Sequence, residues 1–230
     1  MKLAIIGDIH ANAPALQAVL TDISKRNVDA IICTGDIVGY LPYPNEVIDL
    51  LKQAHVLCVQ GNHDAKYGKV PAKAEVDEVT LQAKASFIWT QQTLTALNHA
   101  YLANLPTQLV LEFTNQRLHV VHGSHRTNTE YVFADDEQLA TIAAEIDATI
   151  FISGHTHLAY AKVVADVLFI NPGSVGKPKL PGAIASYALC EISTLAPNVE
   201  LVEVAYDQTD LVTAITKTKG IDCQLAMLFQ

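Results

Sequence analysis

Short apolar runs alternate with helical patterns over the first 65 residues, and this alternation limits the possible folds more than any other feature. Residues 3–6, 30–33 and 56–59 are apolar throughout, as expected of buried strands. Residues 13–25 and 45–53 separate these runs and carry apolar side chains at the spacing of an amphipathic helix. Strands that are joined through helices pair in parallel. The sequence therefore predicts a parallel sheet whose ligands bind beyond the carboxyl ends of the strands.

The rest of the chain predicts a helical segment and then a β-rich region, and we expect one domain over residues 1–230. The helical segment covers about residues 70–105. A hairpin is expected over residues 109–121, and a helix over residues 135–146 with Asp135 as its N-cap. The remaining predicted elements are strands at 149–153, 160–164, 167–170, 184–192 and 199–205, and a last helix at 209–217.

Composition narrows the classes of partner. Hydrophobic residues make up 50% of the chain, enough for a substantial buried core. With 15 basic and 24 acidic residues, the formal net charge is −9. This balance disfavours a general nucleic-acid binder, which needs a basic face, and also disfavours adsorption to anionic membranes. No stretch approaches the roughly 18 apolar residues of a membrane-spanning helix. We therefore expect small-molecule partners, with neither extended nucleic acid nor membrane among them.

The four cysteines indicate a reducing compartment. Cys33, Cys58, Cys190 and Cys223 are scattered and show no C-x-x-C spacing. Cys33 and Cys58 lie inside apolar strand-like runs, which favours buried thiols over disulfides or a thiolate metal site. The apolar run near the first residue is too short for the core of a signal peptide. A cytoplasmic location is the prediction.

Polar side chains follow each of the three buried strands. Asp8 and His10 come after the first strand, Asp36 after the second, and Asn62 and His63 after the third, each near a glycine. Residues two apart in an extended chain point the same way, so Asp8 and His10 are expected to face one metal ion. A single Asp-x-His or Gly-Asp is common by chance and is also typical of an ordinary turn. Three such groups at strand ends indicate a site.

Two later strands end in histidines. His122 follows residues 118–121, and the pair His155 and His157 follows residues 149–152 after a glycine. A His-x-His pair is weak evidence alone, but its position repeats the pattern of the first three strands. Carboxylate, amide and imidazole ligands together suit manganese, iron, zinc or nickel better than they suit a thiolate-type structural site.

These groups closely resemble the ordered motifs of the calcineurin-like metallophosphoesterases, and their flanks resemble a small bacterial-type phosphoesterase branch of that family. The resemblance covers at least residues 3–176, and Gly-Asn-His-Asp is its most specific motif. It implies an α/β fold of the four-layer αββα type, in which two mixed β-sheets are flanked by helices. The five motifs are Asp8-Ile9-His10, Gly35-Asp36, Gly61-Asn62-His63-Asp64, His122 and Gly154-His155-Thr156-His157.

The same resemblance implies phosphoester hydrolysis at a dinuclear centre of two divalent transition-metal ions. A hydroxide shared by both ions is the implied nucleophile. His63 is the candidate general acid, with Asp64 orienting its imidazole. The implied ligands are Asp8, His10, Asp36 and His157 for one ion, and Asp36, Asn62, His122 and His155 for the other.

The sequence motifs do not determine the substrate, and small phosphodiesters and small phosphomonoesters are both compatible with them. Leu41 and the segment Lys177-Pro178-Lys179 depart from the residues usual in the branch and are expected near the substrate mouth. The alternative function is a non-catalytic metal-binding scaffold for protein interactions. Scaffolds of this fold usually lack the acid histidine or a ligand, whereas all of them are present here.

Several polar residues near the motifs have two interpretations. Asn12 either caps the following helix or binds substrate, and capping is favoured. His125 and Arg126 either contact phosphate or lie in a solvated loop. Tyr40 either lines the mouth or packs internally. Three further histidines are interpreted as packed or surface residues rather than ligands, namely His55, His99 and His119.

Overall fold

The first β-sheet is formed largely by the alternating region. The computed structural model describes residues 1–67, 85–113, 115–179, 184–193 and 196–229. In this part of the chain the strand order of the first sheet is β10-β9-β1-β2-β3. Strands β1, β2 and β3 are parallel, as predicted, and β9 joins the edge of β1 antiparallel. The strands are β1 (Lys2–Ile6), β2 (Ala30–Cys33), β3 (Leu57–Cys58), β9 (Ala185–Glu191) and β10 (Asn198–Val204).

The second sheet is also mixed, with the order β4-β5-β6-β8-β7. Its central strands β5, β6 and β8 are parallel, while β4 and β7 pair antiparallel at the two edges. The predicted hairpin is therefore confirmed as the β4–β5 pair. The strands are β4 (Gln108–Phe113), β5 (Gln116–Val121), β6 (Ile150–Ile152), β7 (Tyr160–Val164) and β8 (Val167–Asn171).

The two sheets pack face to face with helices outside. Leu3 and Ile5 of β1 point into the layer between the sheets, where they meet Val120 and Ile152 of the second sheet. The alternate residues of β1 point the other way, toward α1 (Ala13–Ile23) and α2 (Pro44–Gln53). On the far side, α6 (Gln138–Glu145) covers the second sheet through Leu139 and Ile142. This arrangement confirms the predicted αββα sandwich.

The helical prediction for residues 70–105 is confirmed over its second half. Helices α4 (Ala85–Thr93) and α5 (Ala96–Ala103) lie there, and α3 (Asn62–Tyr67) precedes them. Residues 70–84 of the prediction lie outside the described residues. Thr95 caps α5 by accepting the amide of Asn98 at 3.2 Å.

The start of α6 and the segment after the last predicted helix differ most from the sequence prediction. Helix α6 begins at Gln138 rather than Asp135, because a turn closed by the Asp136 amide and the Phe133 carbonyl precedes it. The Asp136 carboxylate, not that of Asp135, accepts the amide of Gln138 at 3.0 Å. After α7 (Thr209–Lys217) the chain forms a 3₁₀ helix (Cys223–Phe229), which a periodicity argument does not detect in so short a segment.

The thiols are free, as the cysteine spacing predicts. Cys33, Cys58 and Cys190 are buried, and Cys223 is exposed. Among the described residues, no helix has the length and apolar character needed to cross a membrane.

Candidate metal centre

The parallel strands of both sheets end at one edge of the sandwich, and the loops that follow them meet there. Backbone bonds join these loops within a sheet, as when the Asp8 amide donates to the Gly35 carbonyl at 3.0 Å. A backbone-to-side-chain bond crosses between the sheets, where the His155 amide donates to Asp8 Oδ2 at 3.0 Å. Because the loops are fixed by both sheets, side chains that are far apart in sequence converge at this edge. The seven candidate ligands all lie there: Asp8, His10, Asp36, Asn62, His122, His155 and His157.

Asp8, His10 and His157 form the first ligand group. Asp8 Oδ1 lies 3.2 Å from His157 Nε2, and His157 Nε2 lies 3.2 Å from His10 Nε2. His157 Nδ1 donates to the Lys177 carbonyl at 2.6 Å, which leaves the lone pair on Nε2 facing the group. Asp8 Oδ1 is buried and has no hydrogen-bond donor among the described residues. Converging lone pairs of this kind are the surroundings that a cation satisfies.

Asp36, His122 and His155 form the second ligand group. His122 Nε2 lies 3.4 Å from Asp36 Oδ2 and 2.9 Å from Asn62 Oδ1. His122 Nδ1 donates to the Thr34 carbonyl at 2.9 Å, so Nε2 is the ring atom that faces the group and that would bind a metal ion once it has lost its proton. The oxygen of Asn62 therefore joins this group, as the resemblance implies.

Asp36 stands between the two groups. Its Oδ2 lies 3.4 Å from His122 Nε2 and 3.8 Å from His10 Nε2, which belong to different groups. Burial opposes ionisation of Asp36, but His122 and His10 outweigh burial and hold the pKa of the carboxyl well below its usual range. In return, Asp36 raises the pKa of His122 against the effect of burial. The two imidazoles therefore favour the ionised form of this buried carboxylate, whose Oδ2 lies within 3.8 Å of a nitrogen from each group.

The donor set fits two divalent cations. Each group offers carboxylate oxygen and imidazole nitrogen within 4.8 Å of one another, and the second group adds an amide oxygen. Such mixed sets bind manganese, iron, zinc or nickel. Contacts from Nδ1 to backbone carbonyls orient the rings of His122 and His157 so that Nε2 faces the ligand group.

The backbone of the ligands is not extended, which corrects the strand argument for Asp8 and His10. Asp8 and His10 have φ of +51° and +48°, and Asp36 has φ of +52°. His155 and His157 have φ of +64° and +60°. Left-handed backbone is uncommon for residues other than glycine and persists only where surrounding contacts fix it. The two side chains converge because the loop curls after β1, not because a strand aligns them.

Glycines next to the ligands are required by close packing of the loops. A Cβ on Gly61 would lie 2.1 Å from the Asp36 amide nitrogen. A Cβ on Gly154 would lie 2.5 Å from Thr34 Oγ1 and 2.9 Å from Asp8 Oδ2. Any larger residue at these positions would push the ligand loops apart.

His63 lies beside the ligands and belongs to neither group. Its ring centroid is 5.2 Å from that of His10 and 4.7 Å from that of Tyr40. Its backbone amide donates to Asp36 Oδ1 at 2.8 Å. Burial lowers the pKa of His63, and the Asp36 carboxylate opposes that shift. The imidazole is therefore placed at the edge of the ligand groups, facing the space beside Tyr40.

Asp64 has a different contact from the predicted one. Its Oδ1 accepts from the amides of Ile37 and Val38 at 2.9 and 3.2 Å, and its Oδ2 accepts from Gly61 at 2.9 Å. These backbone amides, and not the imidazole of His63, are its hydrogen-bond partners in the described residues. The prediction that Asp64 orients the ring is wrong because α3 turns its carboxylate inward. It ties the loop after β2 to the loop after β3.

His125 and Arg126 are occupied by carboxylates. Arg126 Nη2 lies 2.7 Å from Glu145, and Arg126 Nη1 lies 2.9 Å from Glu130. His125 Nε2 lies 2.9 Å from the same Glu145 oxygen. These contacts favour the interpretation that His125 and Arg126 belong to a loop over the interpretation that they contact phosphate.

Asn12, Tyr40 and Leu41 lie around the ligand loops in different environments. Asn12 caps α1 by accepting the Ala15 amide at 3.1 Å, which confirms the capping interpretation. Tyr40 lies at the mouth, where its ring is 5.0 Å from that of His10. Leu41 is fully buried in the cluster that also contains Leu211 and packs against Tyr40, so it lies near the mouth without lining it.

Lys177, in contrast, is at the mouth, with its Nζ 4.7 Å from the Tyr40 ring centroid. Tyr131 was not singled out by the sequence, yet its ring stacks on His155 at 4.2 Å between centroids. No local motif marks Tyr131, because it lies in a loop remote in sequence from its partner.

The remaining histidines make structural contacts or are exposed. His99 Nδ1 and Nε2 lie 2.8 and 3.0 Å from the carbonyls of Tyr67 and Gln91. His119 Nε2 lies 2.8 Å from Gln108 Oε1, and His55 is on the surface. The interpretation of all three as packed or surface residues is confirmed.

Comparison with known proteins agrees with this geometry. The model of the calcineurin-like phosphoesterase superfamily domain matches residues 1–195. The chain is 32% identical to an uncharacterized protein of Methanocaldococcus jannaschii, over 94% of this chain and 93% of that protein. It is 24% identical to a phosphodiesterase of the same organism, over 75% and 83%. A crystal structure of a metallophosphoesterase from Sphaerobacter thermophilus matches at 30% identity with a TM-score of 0.80, covering 100% of this chain and 98% of that one.

Proposed function

The chain belongs to the calcineurin-like phosphoesterase superfamily and is a metal-dependent phosphoester hydrolase, and we propose that it acts through a dinuclear centre. Two divalent ions of manganese, iron, zinc or nickel are the proposed occupants. When bound, such ions activate water for in-line attack on phosphorus and neutralise charge on the phosphoryl oxygens. The proposed ligands are Asp8, His10, Asp36 and His157 for one ion, and Asp36, Asn62, His122 and His155 for the other.

The position of Asp36 carries this proposal. Its Oδ2 is within 3.8 Å of imidazole nitrogens from both groups, and its Oδ1 is held by the His63 amide. A carboxylate oxygen fixed between two sets of donors favours two neighbouring ions over a single one.

His63 is the proposed general acid. It is next to a ligand in sequence but contributes no atom to either ligand group. Its imidazole faces the open side of the site beside Tyr40, where an ester oxygen would leave. A proton from the ring would neutralise the departing alkoxide. Asp64 is a positioning residue here, because it holds the Gly61 amide at the start of the His63 loop.

The proposed substrate is a small phosphoester, either a diester or a monoester. The net charge of −9 disfavours extended nucleic acid, while the metal charge would attract a phosphate locally. The mouth adds Lys177, which is a positive group near the ligands. A cytoplasmic location is proposed from the free, buried thiols.

The test is to replace Asp36 with Asn and count bound metal. Wild type is expected to bind two ions per chain and to hydrolyse bis(p-nitrophenyl) phosphate or p-nitrophenyl phosphate with Mn²⁺. D36N is expected to lose metal and at least about 100-fold in turnover, because a shared charge is removed from a buried site. The matched control is D166N, which changes an exposed carboxylate in the β7–β8 turn.

Full occupancy of both sites in D36N would refute the bridging role. Absence of turnover by wild type across diesters, monoesters and all four metals would refute the enzymatic mechanism and favour the scaffold.

A further inference from the structure

A cavity of about 960 Å³ opens beside the general-acid candidate. His63 and Tyr40 form its inner wall, and both rings also lie about 5 Å from His10 of the first ligand group. Its volume is within the roughly 300–1,000 Å³ range of sites for small organic ligands. The cavity is therefore continuous with the metal centre and large enough for a substituent of nucleoside size.

The lining of the cavity is largely aromatic and aliphatic, with a polar minority that includes Lys66, Asp222 and Gln224. Tyr67 and Phe87 stack on each other at 4.9 Å between ring centroids on one side. Ile221 and Leu225 also line the cavity. Aromatic rings in a largely apolar lining favour a planar ring, which can stack, over a strongly hydrated group.

The wall formed by residues 220–225 lies beyond the part of the chain that the family model matches, which ends at residue 195. Gly220 fixes this wall, since it has φ of +101° and packs against Trp89 of α4. A Cβ at Gly220 would lie 3.0 Å from the Trp89 Cβ. The metal centre is thus common to the family domain, whereas this cavity uses a segment outside it.

We propose that this cavity binds the leaving group of the substrate, and that the leaving group carries a planar aromatic ring. This inference rests on the proposed function, because it places the scissile ester between the ligand groups and His63. With the phosphoryl group at the ligands, the ester group beside His63 is the one whose oxygen His63 protonates, and this group extends into the cavity. A nucleobase and a simple aryl ring share this chemistry.

The first experiment compares esters that differ only in the ring. One pair is adenosine 5′-monophosphate and ribose 5-phosphate, which release the same type of 5′-alkoxide. The other pair is 2-phenylethyl phosphate and ethyl phosphate. Each compound is assayed as the monoester and as its methyl diester, with Mn²⁺. We expect kcat/KM to be at least about tenfold higher for the ring-bearing member of at least one pair, the size expected of one stacked ring.

The second experiment blocks the cavity through Cys223, which lines it and is exposed, whereas Cys33, Cys58 and Cys190 are buried. Labelling wild type with a bulky maleimide is expected to reduce the preference to within about twofold, by raising KM for the ring-bearing ester. The same maleimide treatment is expected not to change the preference of C223S for ring-bearing esters.

A cysteine placed elsewhere serves as the labelling control. In C223S/V163C the new thiol is on the edge strand β7, where Val163 is 65% exposed, away from the cavity. Labelling it is expected to change neither kcat nor KM.

The outcomes separate the inference from the proposed function. A ring preference in the nucleotide pair alone identifies a nucleobase, and a preference in both pairs or in the phenyl pair alone identifies aromatic leaving groups generally. Turnover of all esters without a ring preference, or a preference that survives labelling, overturns the inference and leaves the proposed function intact. Failure to hydrolyse any ester with any of the four metals overturns both.

Discussion

The carboxylate of Asp36 is hydrogen-bonded to the backbone of His63 and not to its imidazole, since Asp36 Oδ1 accepts from the His63 amide at 2.8 Å. The bridging carboxylate is thereby fixed by the same residue whose ring faces the open side of the site. The bond that holds Asp36 therefore does not depend on the His63 ring. This separation makes the two roles testable one at a time.

Replacing His63 with Ala is expected to preserve two bound metal ions per chain, because the amide that holds Asp36 remains. Turnover is expected to fall by about 10²–10⁴ for esters with alcohol leaving groups, the usual contribution of a general acid. The fall should be smaller for p-nitrophenyl esters, whose leaving group needs less protonation. Metal analysis and steady-state kinetics on the same preparation check both statements, and unchanged turnover on alcohol esters would remove His63 from the mechanism.

Replacing Asp64 with Asn is expected to lower the free energy of unfolding by about 1–3 kcal/mol, because an NH2 group would replace one acceptor oxygen and leave a buried amide unpaired. Three amides, those of Gly61, Ile37 and Val38, bind this carboxylate. Urea unfolding of D64N measures the effect, with D166N as the exposed control. Equal stability of D64N and wild type would show that the loops do not depend on these bonds.

Lys177 is expected to assist binding of the phosphoryl group. Its Nζ lies over Tyr40 at 4.7 Å from the ring centroid, and burial lowers the pKa of the amine. K177Q removes the charge and is expected to raise KM about tenfold, the scale of one charge-assisted hydrogen bond, with little change in kcat. K177R keeps the charge, so its KM should remain within about threefold of the wild-type value, a smaller change than the loss of one charged hydrogen bond would cause. A KM that is unaffected by K177Q would exclude the contact.

Thiol reactivity provides a check of the packing that is independent of activity. The contact with Cys58 and burial raise the pKa of Cys33, and burial raises the pKa of Cys190 to about 11. At pH 8 both thiols are therefore protonated as well as inaccessible. Titration of the native protein with DTNB is expected to modify one cysteine, Cys223, and titration in denaturant to modify all four. C223S should show no fast-reacting thiol, and a second fast thiol in wild type would contradict the buried positions.

Much of this protein follows from its sequence. Apolar runs of four residues separated by amphipathic segments predict parallel strands, and the carboxyl ends of parallel strands share one edge of a sheet. The sequence therefore predicts Asp8, Asp36 and Asn62 at one edge of the first sheet. The role of Asn12 as a helix cap could also be predicted, because that hydrogen bond spans only three residues.

Tertiary structure decided what depends on contacts between distant residues. The left-handed backbone of Asp8, the amide partners of Asp64 and the stacking of Tyr131 on His155 all arise where loops from different strands press together. The wall that Gly220 brings opposite His63 is more than 150 residues away from it along the chain. A local pattern encodes hydrogen bonds and periodicity within a few residues, so it determines the strands and the ligand types. It does not encode which remote surfaces meet. The meeting of those surfaces determines the shape of the cavity beside the site.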